Sequence, residues 1–95
     1  MTGTTRTSEG LDARRKRLLF RSWHRGLREL DLILGPFVDM EIATLTEQEL
    51  EQYEYLLTIN DTELLPWLMG EHPAPANIDS SILNKIMTFR PSVQI

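Results

Sequence analysis

The chain has 95 residues, of which 41% are hydrophobic and 25% are charged, with a formal net charge of −4 and no cysteine. A chain of this length forms one domain with a thin core, and without cysteine it has no disulfide, thiolate nucleophile or cysteine-based zinc site. No apolar run is long enough to span a bilayer and residues 1–10 do not resemble a signal peptide, so we expect a cytoplasmic protein with no membrane insertion.

The first helix is expected over about residues 10–24, after a polar segment, residues 1–9, that we predict to be a flexible tail. Ser8 is the candidate cap of this helix. The polar side of the helix is rich in arginine. Its apolar side consists of Leu11, Leu18, Leu19, Phe20 and Trp23.

The second helix is expected to start just after Gly26 and to reach about residue 42. Its apolar residues recur at spacings of three and four, which is the pattern of a buried helical stripe. These residues are Leu27, Leu30, Ile33, Leu34 and Phe37. Proline lacks a backbone donor and clashes with the preceding turn, so Gly35-Pro36 predicts a kink or an early end.

The third helix has the clearest start, because Thr46 and Glu49 have the spacing of a capping box. Leu45 and Leu50 are placed for a hydrophobic staple across that box, and the helix should end near residue 59. A short fourth helix is expected over about residues 62–69.

The fourth helix has Asn60 or Asp61 as its expected cap. Pro66 lies past the first turn, so either the helix is strained there or its regular part begins at that proline.

The fifth helix is predicted over about residues 78–89, with Asn77 as its cap, and residues 91–95 should form a tail. No strand alternation or internal repeat appears in the sequence. The predicted fold class is therefore all-α, a compact bundle of five short helices in a single domain over residues 10–90.

The charges are divided unevenly along the chain. Residues 1–28 hold eight cations and two anions, whereas residues 29–95 hold two cations and twelve anions. Such an asymmetry can steer the chain towards a charged partner, or the basic first helix can lie beside acidic later helices. The run Arg14-Arg15-Lys16-Arg17 leaves a nucleic-acid-binding protein as an alternative, and a membrane-surface role for this helix as another.

The sequence contains no recognisable catalytic or metal-binding constellation. His24 and His72 lie in different segments without a ligand-spaced neighbour, and neither a nucleophile elbow nor a glycine-rich phosphate loop is present. We therefore expect no catalytic residue, no metal and no cofactor of its own, and we do not expect an enzyme.

The segment Arg25-Gly26-Leu27-Arg28-Glu29-Leu30-Asp31 carries the strongest functional signal. Glycine allows a turn or a close approach to another surface, and arginine is suited to bind carboxylates and carbonyls. This segment can be an ordinary corner between two helices or a rigid polar surface for a partner. Trp67 is a second candidate for partner binding, because tryptophan often anchors interfaces, although its cluster with Leu68 and Met69 can simply be core.

This segment, combined with four shorter motifs that come after it in the chain, resembles the SdhE family of succinate dehydrogenase flavinylation factors. The ordered features that carry the resemblance are R-G-L-R-E-L-D at 25–31, Pro36-Phe37, Leu45-Thr46, Asn60-Asp61 and Trp67-Leu68-Met69. The resemblance covers about residues 12–90. Pro66 departs from the family pattern, which leaves the geometry of the fourth helix open.

The resemblance implies an assembly factor that binds the flavoprotein subunit of succinate dehydrogenase, and in some bacteria that of fumarate reductase. It also implies that FAD becomes attached covalently to a histidine of that subunit, so the factor supplies no nucleophile. The R-G-x-x-E motif maps onto Arg25, Gly26 and Glu29, and Arg28 and Asp31 belong to the same stretch. Glu29 would either contact the partner or brace an arginine, and we expect a monomer when the factor is free.

The alternative to this assembly factor, beside a nucleic-acid-binding protein, is a general helical adaptor in which segment 25–31 is only structural.

Overall fold

The computed structural model describes residues 9–89. These residues form five α-helices, α1 (Ala13–Ser22), α2 (Arg28–Glu41), α3 (Glu47–Leu56), α4 (Asp61–Leu68) and α5 (Ser80–Thr88). The part of the chain described contains no strand, and the predicted all-α bundle is confirmed. The predicted cap Ser8, most of the predicted N-terminal tail and the whole of the C-terminal tail lie outside the described residues, so the tails remain predictions.

A single hydrophobic core lies between the helices, and α2 is central to it because it packs against α1, α4 and α5. Phe37 of α2 and Tyr53 of α3 are fully buried, and their ring centroids are 5.9 Å apart. Phe89 packs edge-on against Phe37 at 5.7 Å. The Tyr53 hydroxyl is hydrogen-bonded to the buried hydroxyl of Ser22, so each of these two buried polar groups has a partner.

The predicted capping box of α3 is confirmed, since Thr46 and Glu49 exchange hydrogen bonds between side chain and backbone. The start of α1 is later than expected, at Ala13, because the Asp12 side chain accepts the backbone N–H of Arg15 at 2.8 Å. An aspartate at this position satisfies a helix N–H that would otherwise lack a partner.

The start of α5 also differs from the prediction, because Asp79 and not Asn77 is the cap. The Asp79 carboxylate accepts the N–H of Ser81 at 2.8 Å. The Asn77 side chain instead donates to the Tyr55 hydroxyl at 3.2 Å.

Both prolines in question lie inside helices. The α2 helix continues through Pro36 to Glu41, and α4 starts at Asp61, before Pro66. A proline in a helix interior costs about 3 kcal/mol. Burial of Phe37 and Val38 around one proline, and of Leu64 and Leu68 around the other, offsets this cost.

The approach of α1 to α2 depends on Gly35. A Cβ atom built at this position would lie 2.5 Å from the Trp23 ring, so the ring occupies the space of a side chain. The Trp23 indole N–H donates to Asp39 Oδ1 at 3.0 Å, which fixes the ring across α2. No helix within residues 9–89 is long and apolar enough to cross a membrane.

Candidate functional site

The corner between α1 and α2, which we define as residues 25–31, contains the R-G-x-x-E motif. The α1 helix ends at Ser22, and the residue that precedes α2, Leu27, has no side-chain oxygen to cap it. Two aspartates instead accept the backbone N–H groups of the three residues that precede α2. Asp31, from within the corner, accepts that of Arg25, and Asp61, from the start of α4, accepts those of Gly26 and Leu27.

The guanidinium of Arg25 points into the protein, where its side chain is only 9% exposed. Its Nε donates to Asp61 Oδ1 at 2.9 Å. Its two terminal nitrogens donate to the backbone carbonyls of Leu57 and Ile59, at 2.8 and 2.9 Å. These carbonyls follow the end of α3, where a cation is favourable because the last carbonyls of a helix lack partners.

Arg25 therefore takes the carboxylate and carbonyl partners that its chemistry predicts, but it takes them from its own chain. It joins the α1–α2 corner to the connection between α3 and α4.

The carboxylate of Asp61 holds the backbone of the corner through its second oxygen. Oδ2 accepts the N–H of Gly26 at 2.7 Å and that of Leu27 at 3.2 Å. A Cβ atom on Gly26 would lie 2.9 Å from this oxygen, closer than such contacts ordinarily come. A side chain at Gly26 would therefore force the Asp61 carboxylate to shift, so the glycine of the motif favours the close approach of its own backbone to Asp61.

The other two charged residues of the motif face solvent. Arg28 and Glu29 are exposed, and neither side chain has a hydrogen bond or ion pair to another of the residues that the structure describes. The Arg25 side chain is braced by Asp61, and the backbone N–H of Arg25 is accepted by Asp31 at 3.1 Å. Glu29 therefore has no internal bracing role in this structure, and its carboxylate is accessible to a partner.

A shallow groove of about 560 Å³ adjoins the corner and is lined by Arg25, Gly26, Leu27 and residues 57–62. Trp67 is not part of it. The Trp67 ring lines a separate groove of about 620 Å³ beside the loop of His72 and Pro73, and the two grooves share no residue. The structure thus groups five of the six predicted site residues in the corner and leaves Trp67 apart.

The basic run of α1 is partly internal. Arg14 pairs with Glu47 and Glu54, at 2.7 and 2.8 Å, and its hydrogen bond is the main reason that the pKa of the Glu54 carboxyl is lowered. Arg15 pairs with Asp12 and also donates to the backbone carbonyls of Ile42 and Leu45, in the connection between α2 and α3. The basic first helix therefore does lie beside the acidic third helix.

Residues 9–89 contain no group of three or more side chains that could hold a metal ion. The main residue of the site that the sequence did not assign to it is Asp61, which was expected only as a possible helix cap. The local signal was ambiguous, because Asn60 and Asp61 are both good capping residues. Only the packing of α4 against the corner shows that Asn60 takes the cap position while Asp61 turns towards Arg25.

Comparison with known proteins identifies the class of protein to which the chain belongs. The family described as flavinator of succinate dehydrogenase matches residues 16–90, which include the whole corner. The class is therefore one of assembly factors and not of enzymes. The chain belongs to this family, as its sequence features predicted.

Three relatives illustrate the match. The FAD assembly factor SdhE of Acetobacter pasteurianus is 39% identical over 79 residues, which cover 83% of this chain and 72% of that protein. The FAD assembly factor SdhE of Legionella pneumophila is 46% identical over 65 residues, covering 68% of this chain and 81% of that protein. The mitochondrial succinate dehydrogenase assembly factor 2 of Dictyostelium discoideum is 35% identical over 72 residues, covering 76% of this chain and 51% of that protein.

Proposed function

We propose that this chain binds the flavoprotein subunit of succinate dehydrogenase in the cytoplasm and promotes the covalent attachment of FAD to that subunit. The observation that carries the proposal is the family match over residues 16–90, together with relatives named as FAD assembly factors. The chain itself holds no cofactor and acts as a monomer. It supplies no reacting group, because the flavin and the histidine that accepts it both belong to the client.

The action that suits this geometry is stabilisation of one client conformation. A binding protein shifts a conformational equilibrium by its difference in affinity for the two states, and correct placement of two reacting groups can lower a barrier by several kcal/mol. The hydrogen bonds of Arg25 and Asp61 make the corner rigid before it meets its client. Arg28 and Glu29 are then presented with little further loss of backbone entropy, which favours binding.

The first test is a covalent-flavin assay on the flavoprotein subunit of succinate dehydrogenase from the same organism. The subunit is produced in cells that lack their own assembly factor, with and without this chain, and its fluorescence is read in a denaturing gel. We expect a fluorescent band that is strong with the chain and weak without it. Equal fluorescence in the two lanes would contradict the proposed function.

Exposed residues of the motif give the sharper version of this test. We expect Arg28→Gln and Glu29→Gln each to weaken binding of the flavoprotein subunit about tenfold, equivalent to about 1.4 kcal/mol. The matched control is Glu71→Gln, an exposed carboxylate in the loop before α5. A substitution at Gly26 is less informative, because its Cβ would displace Asp61 and disturb the corner itself.

The flavoprotein subunit of fumarate reductase is the second client that we propose. The same gel assay, run with that subunit in place of the first, shows whether the client range extends to it.

A further inference from the structure

The outward face of α1 carries a row of exposed basic and aromatic side chains, which we call the α1 stripe. Its members are Lys16, Arg17, Phe20, Arg21 and His24. Lys16, Phe20 and His24 are spaced four residues apart, as are Arg17 and Arg21, so all of them lie on neighbouring parts of one helical surface. His24 lies two residues after the end of α1 and precedes Arg25, so the stripe leads into the corner.

The cations of the stripe are not neutralised within the structure. In contrast to Arg14, Arg15 and Arg25, the three cations Lys16, Arg17 and Arg21 have no ion pair within 4 Å among residues 9–89. Arg21 makes one long contact of 3.4 Å to the Leu57 carbonyl.

Glu54 is the carboxylate on which Arg17 and Arg21 act electrostatically, but it is already hydrogen-bonded to Arg14 through both oxygens. The stripe therefore keeps uncompensated positive charge on the surface of a chain that is acidic overall.

Phe20 adds an apolar anchor to this charged surface. The residue is 62% exposed, and its ring stacks on the His24 ring with centroids 3.9 Å apart. The His24 ring is itself held in place, because its Nδ1 donates to the Phe20 carbonyl at 2.7 Å. An ordered aromatic pair among cations has the composition of a protein interface, in which aromatic and arginine side chains are enriched.

We propose that the α1 stripe is a second docking surface, continuous with the corner, that binds an acidic segment of the flavoprotein subunit. This inference rests on the proposed function. Carboxylates of the client pair with Lys16, Arg17 and Arg21, and an apolar side chain beside them covers Phe20. The exposed cations also attract the acidic segment from a distance, which accelerates association and makes it dependent on salt.

The charge and size of the surface favour an acidic protein segment over a nucleic acid or a lipid bilayer. The stripe is about 12 Å long at 1.5 Å per helical residue, so it meets only a few phosphates. The salt-dependent affinity that such a small number of contacts provides is weak. Residues 29–95 hold twelve anions and two cations, and these repel an extended duplex or an anionic membrane more than a short peptide.

The test uses the double variant Arg17→Gln/Arg21→Gln and purified flavin-free flavoprotein subunit. Association rate and dissociation constant are measured at several salt concentrations. We expect the association rate at low salt to fall about tenfold and to depend less steeply on salt, because the removed cations no longer steer the acidic segment towards the stripe.

A matched control makes the same change in net charge away from the stripe. Gln48→Glu/Ala76→Glu alters two exposed positions, in α3 and in the loop before α5. We expect it to keep the association rate within about twofold of the parent, since steering depends on charges near the interface.

The third variant, Phe20→Ala, separates the apolar contact from the charges. We expect it to weaken binding several-fold at every salt concentration while the slope against salt stays unchanged. Far-ultraviolet circular dichroism of each variant verifies that the fold is retained, as expected for substitutions of exposed side chains.

Several outcomes would overturn the inference. An unchanged association rate and salt slope in the double variant, or an equal loss in the control, would show that the stripe is not a specific contact. If the parent binds a short DNA duplex or phosphatidylglycerol-containing vesicles more tightly than the flavoprotein subunit, the ligand of the stripe is a phosphate group and the proposal of an acidic protein segment is wrong. If the parent self-associates and the double variant does not, the stripe binds a second copy of the chain and the proposal of an acidic client segment is wrong.

The same experiment separates this inference from the proposed function. If the parent chain binds the subunit and supports flavin attachment while the variants bind equally well, only the stripe proposal is wrong. If the parent fails to bind the subunit at all, the proposed function is contradicted and the stripe proposal is contradicted with it.

Discussion

Asp61 is the residue on which the geometry of the corner most depends. Its two oxygens contact the Arg25 guanidinium and the N–H groups of Gly26 and Leu27, so one carboxylate orders three consecutive residues. The Arg25 side chain is almost fully withdrawn from water, and a buried charge needs its counter-charge and its hydrogen bonds together. Asp61 thereby positions the exposed part of the motif while most of its own side chain is covered.

Asp61→Asn tests this role. We expect the substitution to lower the free energy of unfolding by about 2 kcal/mol, since it removes the negative charge from hydrogen bonds to a charged group. It should also weaken flavin attachment, because Arg28 and Glu29 are no longer held in a fixed orientation. The measurement is urea denaturation beside the gel assay, with Glu71→Gln as an exposed control. Stability equal to that of the parent would show that the corner does not depend on Asp61.

Some residues of the motif face the protein interior and others face solvent, and the sequence of the motif does not show which. Arg25 and Gly26 serve the internal contact with Asp61, whereas Arg28 and Glu29 face solvent. The sequence indicated the segment as the strongest candidate for partner binding, because it combines a helix breaker with clustered charge, and this stays a prediction. It could not separate the two roles, since an arginine that binds a carboxylate within its own chain is chemically the same as one that binds a partner.

The packing of α1 on α2 is limited by the space at Gly35. In an ordinary helix interior, alanine is more stable than glycine by about 1 kcal/mol. Here a Cβ would meet the Trp23 ring at 2.5 Å, and that ring is tied to Asp39. The tertiary contact therefore opposes the helix propensity.

We expect Gly35→Ala to destabilise the protein by about 1–3 kcal/mol, the usual cost of overpacking a core. The same substitution in a Trp23→Phe background should cost less, because the smaller ring leaves room for the methyl group. Urea denaturation of the four proteins of this double-mutant cycle gives the coupling energy. If Gly35→Ala stabilises the parent, helix propensity outweighs the contact with the Trp23 ring at this position.

The helix boundaries show which local signals are sufficient. The capping box of α3 was predicted correctly because all its atoms come from four consecutive residues. The helical course to about residue 42 was predicted and α2 ends at Glu41, but the sequence could not decide whether Pro36 would end the helix early, since that depends on how much apolar surface the residues after the proline bury against other helices. Proline imposes a local cost, and the structure shows that tertiary burial offsets it.

At the scale of the whole molecule, some opposite charges pair across the contacts between helices. Arg14 of α1 binds Glu54 of α3, and Lys85 of α5 binds Glu49 of α3. The pKa of Glu54 is lowered chiefly by its hydrogen bond to Arg14, and that of Glu49 chiefly by the backbone N–H of Thr46. Both carboxylates are therefore more easily ionised in the folded protein than in the unfolded chain.

A lowered pKa in the folded state stabilises the fold above the ordinary carboxyl pKa, and this stability is lost as the pH falls through the folded value. We therefore expect the free energy of unfolding to stay nearly constant from about pH 7 to pH 5 and to decrease below the ordinary value of 4.5 for glutamate. Urea denaturation across this range is the measurement. Glu54→Gln should make the decrease shallower, and a decrease of equal steepness in this variant would exclude Glu54 as a contributor.

Local patterns in the sequence were enough to predict the fold class, the existence of all five helices, the polar corner and the family. Helical periodicity and capping depend on residues within one or two turns of each other, and a family resemblance depends on their order along the chain. Packing decided which motif residues face inward, that Asp61 completes the corner, and that the cations of α1 divide into paired and exposed sets. The reason is distance along the chain: Arg25 and Asp61 are 36 residues apart, and only the docking of α4 beside the α1–α2 corner brings their charges together.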